Sequence, residues 1–232
     1  MAILPSTSSV PDNCMVRNEW ICGEFLTSRA EQLTDAVVQH VWITVVSVLI
    51  GLVVALPLAL LARRYRNLEW LVVGGTTALY TIPSLALFAL LLPLTGLSAT
   101  TVVTGLVLYS LTILVRNIVE GLRSVPSDVI EAARGMGYGG GRLLFTVELP
   151  LALPSIMAGL RVATVSTVAL TTVGAIVNYG GLGNLLLEAV NTQFRPQVLT
   201  ASLLCVLLAV AFDLLLVGAQ RLMTPWSRTR AV

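Results

Sequence analysis

The sequence has 232 residues, of which 56% are hydrophobic and 11% are charged, with a mean hydropathy of +0.89. Soluble domains carry roughly 25% charged residues, so this composition excludes a soluble globular protein and predicts an integral membrane protein. All 14 basic residues are arginines and the net charge is only +2. This weak, scattered charge excludes a nucleic-acid partner.

The first forty residues are predicted to form a segment outside the cytoplasm. They hold no basic stretch followed by an apolar core and a cleavage site, which disfavours a cleavable signal peptide. Residues 26–39 are predicted to form a surface helix that leads into the first span. Cys14 and Cys22 both lie in this segment, where conditions favour oxidation. A disulfide between them is the hypothesis, and two free thiols are the alternative. His40, the sole histidine, is interpreted as an interfacial residue without companions for a metal site.

Apolar runs long enough to cross a hydrocarbon core of ~30 Å recur through the rest of the chain. They are too continuous for barrel strands, so an all-α polytopic membrane protein is predicted. In the second run, Pro83 and the Gly74-Gly75 pair predict a kink or a close helix approach. The five predicted spans are residues 41–62, 70–92, 97–115, 151–177 and 198–217.

The arginines predict the orientation of these spans. Basic residues favour the cytoplasmic side, and ten arginines would share one side with the loop at 117–150 and the C-terminal tail, 221–232. The N-terminus is then outside, and the transmembrane domain covers 41–220. The ten are Arg63, Arg64, Arg66, Arg116, Arg123, Arg134, Arg142, Arg221, Arg228 and Arg230, against Arg17, Arg29 and Arg195 on the other side.

We call residues 117–150 the long loop. Ser127 is predicted to cap a helix that continues through Ala133, with Asp128 in its first turn. Glycines then favour a turn, and a second short helix over 142–149 is predicted to stop at Pro150. A helix-turn-helix beneath the membrane is expected.

The fourth and fifth spans carry polar groups. Thr164, Thr167 and Thr171 lie on one helical stripe, which either lines a path for a small solute or bonds backbone carbonyls and neighbouring helices. Arg161 and Asp213 are intramembrane charges and therefore functional candidates. The alternatives are snorkelling for both and, for Asp213, a helix contact.

After the fourth span, a glycine-rich stretch permits a sharp turn on the outer side. Its glycines are Gly180, Gly181 and Gly183. A short apolar helix over 185–190 is predicted to follow. The stretch either helps to close a path or is a plain turn.

The long loop resembles the permease subunits of type I ABC importers. Their motif is Glu-Ala-Ala, three residues, Gly, nine residues, an aliphatic residue, any residue and Leu-Pro. This sequence matches at Glu131, Ala132, Ala133, Gly137, Val147, Leu149 and Pro150. The resemblance implies the five-helix core of that permease fold and a loop helix that docks on an ATP-hydrolysing subunit. The alternative is an amphipathic helix lying on the bilayer surface.

From His40 onward, several ordered segments are similar to permeases of osmoprotectant importers for glycine betaine, carnitine and choline. Examples are 81–87, 148–152, 156–161 and 180–183. One departure is Asn178-Tyr179, where the family often has Gly-Ala, and this places Asn178 among the candidate path residues. Permeases for amino acids or sulfonates share the loop motif and stay open as alternatives.

The resemblance implies a bacterial inner-membrane subunit that moves its solute by alternating access. Its expected partners are two ATP-binding subunits, a second permease copy or homologue, and an external substrate-binding protein. ATP and Mg would bind the ATPase partner, and neither a cofactor nor a metal is expected in this chain. A stand-alone channel or secondary transporter explains the spans but not the loop. A membrane enzyme is disfavoured because no catalytic constellation appears.

Overall fold

The computed structural model describes residues 13–226, and every regular element in that range is helical. Arg228 and Arg230, used above to predict orientation, lie outside the described residues, as do residues 1–12 of the predicted outer segment. The helices are α1 Gly23–Ser28, α2 Ala30–Arg64, α3 Arg66–Thr81, α4 Ser84–Thr95, α5 Ala99–Arg123, α6 Ser127–Gly135, α7 Gly140–Leu143, α8 Leu149–Thr171, α9 Leu182–Thr192 and α10 Arg195–Met223.

Helix α2 begins earlier than the sequence analysis predicted. The separate surface helix over 26–39 is wrong: a short helix ends at Ser28, and Ala30–Arg64 is one continuous helix of 35 residues. Polar residues between Ala30 and Gln39 indicated the edge of the apolar run, but they include no glycine or proline to end a helix. At 1.5 Å per residue, α2 is about 52 Å long. Its first turns therefore extend beyond a hydrocarbon core.

The predicted second span is broken where Pro83 was expected to kink it. Helix α3 ends at Thr81, Ile82 is extended with ψ 127°, and α4 begins at Ser84. The two helices meet at 99°, because proline disfavours helical backbone in the residue before it. The Gly74-Gly75 pair makes no close approach: a Cβ added at either would meet nothing within 4 Å.

Four helical stretches are long and apolar enough to cross a membrane in the described range. The bent α3–α4 pair gives a fifth span if it is counted as one. The third span continues to Arg123, eight residues past its predicted end. Hydropathy marks the bilayer and not the helix end, so the first part of the predicted long loop belongs to α5.

Helix α5 is the centre of the molecule and packs against both α2 and α8. Their shared core includes Ala59, Leu114, Ile118 and Ala163. Helix α10 instead packs on α8 and α9 at the periphery, and only three of its residues are buried. The described chain therefore buries little of α10.

Candidate functional site

Helix α6 carries the Glu-Ala-Ala segment of the long loop. Pro126, and not Ser127 as predicted, holds the cap position, and no side chain caps the helix. The fixed φ of proline, here −59°, sets the chain for the first turn. Asp128 lies in that turn, where a carboxylate interacts favourably with the helix dipole.

The two faces of α6 differ in exposure. Ala133 is buried and Ile130 packs against the core of α2, α5 and α8. Glu131 and Ala132 are exposed. Met136, just past the helix, is 71% exposed. The exposed face of α6 and the residue after it thus present a carboxylate, a small side chain and a thioether at the surface of the described chain.

Gly137 ends α6 with a reversal of the chain. The Gly137 N–H donates to the Arg134 carbonyl at 2.9 Å and the Tyr138 N–H to the Ala133 carbonyl at 3.1 Å. These two bonds form a Schellman motif, and Gly137 has the positive φ of 84° that the motif requires. A Cβ there would meet nothing within 4 Å, so the backbone angle alone demands glycine.

Residues 138–148 return from Gly137 to α8, and we call them the return segment. This part of the loop differs from the prediction, because Pro150 does not stop a helix. After α7, residues Leu144–Glu148 form a turn of π-helix that leads into α8. The Leu149 N–H reaches the Leu144 carbonyl, and Pro150 falls in the first turn of α8. Proline has no N–H to donate, yet the helical stretch from Gly140 to Val177 continues through Pro150. Val147, Leu149 and Pro150 are each half-buried.

Glu148 fixes this return segment to α2. Its carboxylate accepts from Arg63 Nη1 at 2.5 Å and Nη2 at 2.7 Å. The Glu148 side chain is 6% exposed and that of Arg63 26%. Sequence reasoning missed this pair. The available signal was an acidic residue between the apolar Val147 and Leu149, whereas Arg63 counted only towards orientation.

The three threonines of α8 point into the packed helices. Thr164, Thr167 and Thr171 are all buried. Each hydroxyl donates to the carbonyl four residues earlier, at 2.7 to 2.8 Å. Thr171 also lies 3.5 Å from the Thr44 hydroxyl of α2. In this conformation they bond backbone and a neighbouring helix, and a role in lining a path stays a prediction.

Arg161 and Asp213 lie together, which the sequence analysis did not state. Arg161 Nε donates to Asp213 Oδ1 at 2.8 Å, and Nη2 donates to Oδ2 at 3.0 Å. This bidentate pair joins α8 to α10. Their side chains are 33% and 34% exposed.

The glycine stretch 180–183 packs tightly on α2 and on the end of α8. Asn178 is left-handed with φ 62°, and its carbonyl accepts from Asn184 Nδ2 at 3.2 Å. The Gly181 N–H donates to Gln39 Oε1 at 3.1 Å. A Cβ on Gly183 would lie 2.2 Å from the Thr172 carbonyl oxygen. The helix predicted over 185–190 lies within α9.

His40 is not interfacial, contrary to the prediction. It is completely buried, and its Nε2 lies 3.0 Å from the Val168 carbonyl oxygen of α8. A Cβ on Gly181, which has φ 56°, would lie within 3 Å of the His40 backbone. Because α2 starts at Ala30, His40 is ten residues inside that helix and is covered by the glycine stretch.

Cys14 and Cys22 are bonded in the structure, with their Cα atoms 5.5 Å apart. Between them, Asn18 reaches the connection from α9 to α10. Its Nδ2 donates to the Gln193 carbonyl at 2.9 Å, and its Oδ1 accepts from the Arg195 N–H at 2.8 Å. Within residues 13–226, no cluster of His, Cys, Asp and Glu could hold a metal ion.

The described helices and the loop motif agree with a family model. Residues 43–229 match the model described as binding-protein-dependent transport system inner membrane component. The chain is 35% identical to the osmoprotectant import permease protein OsmW of Salmonella typhimurium, over 87% of this chain and 96% of that protein. It is also 35% identical to the glycine betaine/carnitine/choline transport system permease protein OpuCD of Bacillus subtilis, over 88% and 89%.

A solved structure shares the fold. It shows the MetNI methionine ABC transporter facing inward, and it aligns with a TM-score of 0.74 over 83% of this chain and 96% of that chain. At 22% sequence identity, this likeness concerns the fold alone.

Proposed function

The chain belongs to the family of binding-protein-dependent transport system inner membrane components, and on that premise we propose that it is the permease subunit of an ATP-driven importer for a small osmoprotectant. Its relatives are transport permeases, so the chain is a transport subunit and not an enzyme. The observation that supports coupling to ATP hydrolysis is that Glu131 and Ala132 are exposed on one face of α6.

We assign the long loop to the docking of an ATP-hydrolysing subunit. Ala132 is exposed and small, which allows close approach of a partner, and the exposed Glu131 can pair with a basic group. Ala133 and Ile130 fasten the opposite face to the core. The Glu148–Arg63 pair fastens the return segment to α2. A push on α6 would therefore be transmitted to the membrane helices as a rigid unit.

The cargo is proposed from the relatives. OpuCD is a permease for glycine betaine, carnitine and choline, and OsmW imports osmoprotectants. The common chemical feature of those three solutes is a quaternary ammonium group. An amino acid or a sulfonate remains the second candidate class, and an uptake assay separates the two classes directly.

The chain is an inner-membrane component, and we propose that the long loop and α10's final turn face the cytoplasm. Two ATP-binding subunits would dock there, with ATP and Mg bound by those subunits. On the outer side, a substrate-binding protein would deliver the solute to the glycine stretch 180–183. A second permease subunit, identical or homologous, would complete the path, since one chain buries little of α10.

The test is uptake by the assembled transporter, containing its ATPase and binding protein, in membrane vesicles. Glu131→Lys and Gly137→Trp should each reduce ATP-driven uptake of glycine betaine to background while membrane insertion is unchanged. Gly139→Ala is the matched control, because Gly139 has an ordinary φ of −71° and open space for a Cβ.

Unchanged uptake by the Glu131 and Gly137 variants, independent of ATP, would refute the importer proposal and favour a stand-alone transporter. Uptake of an amino acid but of no quaternary ammonium compound would refute only the proposed cargo.

A further inference from the structure

The ion pair of Arg161 and Asp213 joins two helices that are each long and apolar enough to cross a membrane. Arg161 is twelve residues after Leu149, the first residue of α8, or about 18 Å along the helix. Asp213 is ten residues before Met223, the last residue of α10, or about 15 Å. Each charge therefore lies well inside its helix and not at a helix end.

The pair forms the polar floor of an otherwise apolar cleft between α8 and α10. The cleft has a volume of about 570 Å³ and its walls include Ala158, Val162, Val165, Ser166, Val210 and Leu214. One third of each charged side chain is exposed, and both residues line the cleft. Charges within membrane-spanning helices are costly in contact with lipid and mark solute paths or water-filled cavities. The cleft is therefore suited to a polar occupant.

The pair still has bonding capacity on its exposed edge. Asp213 occupies Arg161 Nε and Nη2, which leaves Nη1 without a hydrogen bond to any residue between 13 and 226. Each Asp213 oxygen accepts one bond from Arg161 and has further lone pairs. A ligand with one negative and one positive group can lie antiparallel on the pair without breaking it.

We propose that Arg161 and Asp213 form a receptor for a zwitterionic solute in the transport path, an inference that rests on the proposed function. The ligand's carboxylate accepts from Arg161 Nη1, a charge-assisted bond. Its quaternary ammonium group lacks an N–H and is held beside Asp213 by charge. The methyl groups of that ammonium contact Val162, Val210 and Leu214. The paired charges cancel, so a net-neutral ligand leaves no uncompensated charge in the membrane.

This assignment differs from a clamp that merely fastens α10 to α8. Glycine betaine and carnitine have both a carboxylate and a quaternary ammonium group, whereas choline has only the ammonium group. A receptor distinguishes these ligands through Arg161, but a clamp would affect them equally. The pattern across solutes, and not the loss of transport, is therefore the diagnostic readout.

The experiment measures uptake of the three solutes by the complete transporter in proteoliposomes. Arg161→Gln should lower glycine betaine and carnitine uptake at least about tenfold more than choline uptake, as expected for loss of a charge-assisted hydrogen bond. Asp213→Asn should lower uptake of all three. Arg123→Gln is the control: it removes an arginine that pairs with Glu69 outside the cleft and should leave the ratio of betaine to choline uptake unchanged.

A labelling experiment tests occupancy of the cleft without relying on transport. In a Cys205→Ala background, Ser166→Cys should react with a water-soluble thiol reagent, and glycine betaine should slow that reaction. Thr27→Cys, at an exposed position of α1 ahead of the first span, is the control and should react without protection.

An equal loss of all three solutes in Arg161→Gln, or no protection of the cysteine at 166, would overturn the receptor while leaving the proposed function intact. A wild-type transporter that moves an amino acid but none of the three solutes would overturn the proposed cargo, and the receptor with it.

Discussion

Glu148 depends on one partner, the guanidinium of Arg63. The carboxylate is almost completely buried, and both of its oxygens are bonded to that guanidinium. A buried ion pair adds little net stability compared with an apolar pair, but removing one member leaves an uncompensated charge. The same side chains also join α2 to the return segment of the long loop. At the scale of single residues, this is the strongest constraint on the loop.

We expect Arg63→Met to destabilise the protein by about 3 kcal/mol, near the lower end of the range for breaking a buried pair, because Arg63 keeps some contact with solvent. The double variant Arg63→Met with Glu148→Leu should recover much of this loss. Thermal unfolding of the purified transporter measures both. Arg123→Met is the matched control: its pair with Glu69 is more exposed and is expected to contribute about 1 kcal/mol or less. Equal effects at positions 63 and 123 would contradict the argument.

At the scale of elements, the break between α3 and α4 needs a hydrogen-bond donor. A helix interrupted within a membrane frees backbone groups that must find partners. The Tyr109 hydroxyl of α5 donates to the Ile82 carbonyl at the break, and the Thr112 hydroxyl donates to the Thr76 carbonyl at 2.5 Å. Helix α5 thus supplies to the Ile82 carbonyl the bond that a continuous helix would make internally, and the Thr112 bond fastens the interior of α3 to α5.

Tyr109→Phe should lower the free energy of unfolding by about 1 to 3 kcal/mol, the cost of a buried carbonyl left unpaired. Tyr80→Phe is the control, because Tyr80 contacts the Tyr109 ring edge-on with centroids 5.6 Å apart and the substitution keeps that contact. Thermal unfolding with both variants provides the measurement. If the two phenylalanine variants are equally stable, the hydroxyl of Tyr109 does not support the break.

The elements also show what sequence reasoning can reach. Hydropathy located every apolar run, and Pro83 marked the break, because both signals are local. Helix ends were less accurate: α2 begins at Ala30, since polar residues end an apolar run without ending a helix. Pro150 was misinterpreted because its effect depends on the π-helical turn before it.

Side-chain pairs between residues distant in sequence could not be predicted, because they depend on how the helices pack and not on a local pattern. The motif located α6, but the pairing of Glu148 with Arg63 spans 85 residues. Arg161 and Asp213 were each recognised as unusual, yet they lie 52 residues apart. Only the packing of α8 on α10 makes them neighbours. A sequence shows that a charged residue lies within an apolar span, but only the folded structure shows which residue pairs with it.

At the scale of the whole molecule, the N-terminal segment ahead of α2 clamps the start of the last helix. The loop closed by Cys14 and Cys22 presents Asn18 with φ 53°. Asn18 Oδ1 accepts the N–H of Arg195, the first residue of α10, whose N–H has no partner inside its own helix. Phe25 packs edge-on against Phe194 with centroids 5.5 Å apart. The start of the described chain is thereby joined to the start of α10.

Asn18→Gly should release the start of α10, because glycine accepts the same backbone angle but makes neither bond. Each lost hydrogen bond is worth about 1 kcal/mol, so amide hydrogen exchange at residues 195, 197 and 198 should become roughly fivefold to thirtyfold faster where exchange proceeds by local opening. Reducing the disulfide should have the same effect at the same amides. Asn67→Ala, at an exposed position far along the sequence in α3, should leave them unchanged. Two alkylatable thiols at Cys14 and Cys22 in unreduced protein would contradict the clamp. Unchanged exchange in Asn18→Gly would also contradict it, since the clamp rests on the two hydrogen bonds that Asn18 makes to the backbone of Gln193 and Arg195.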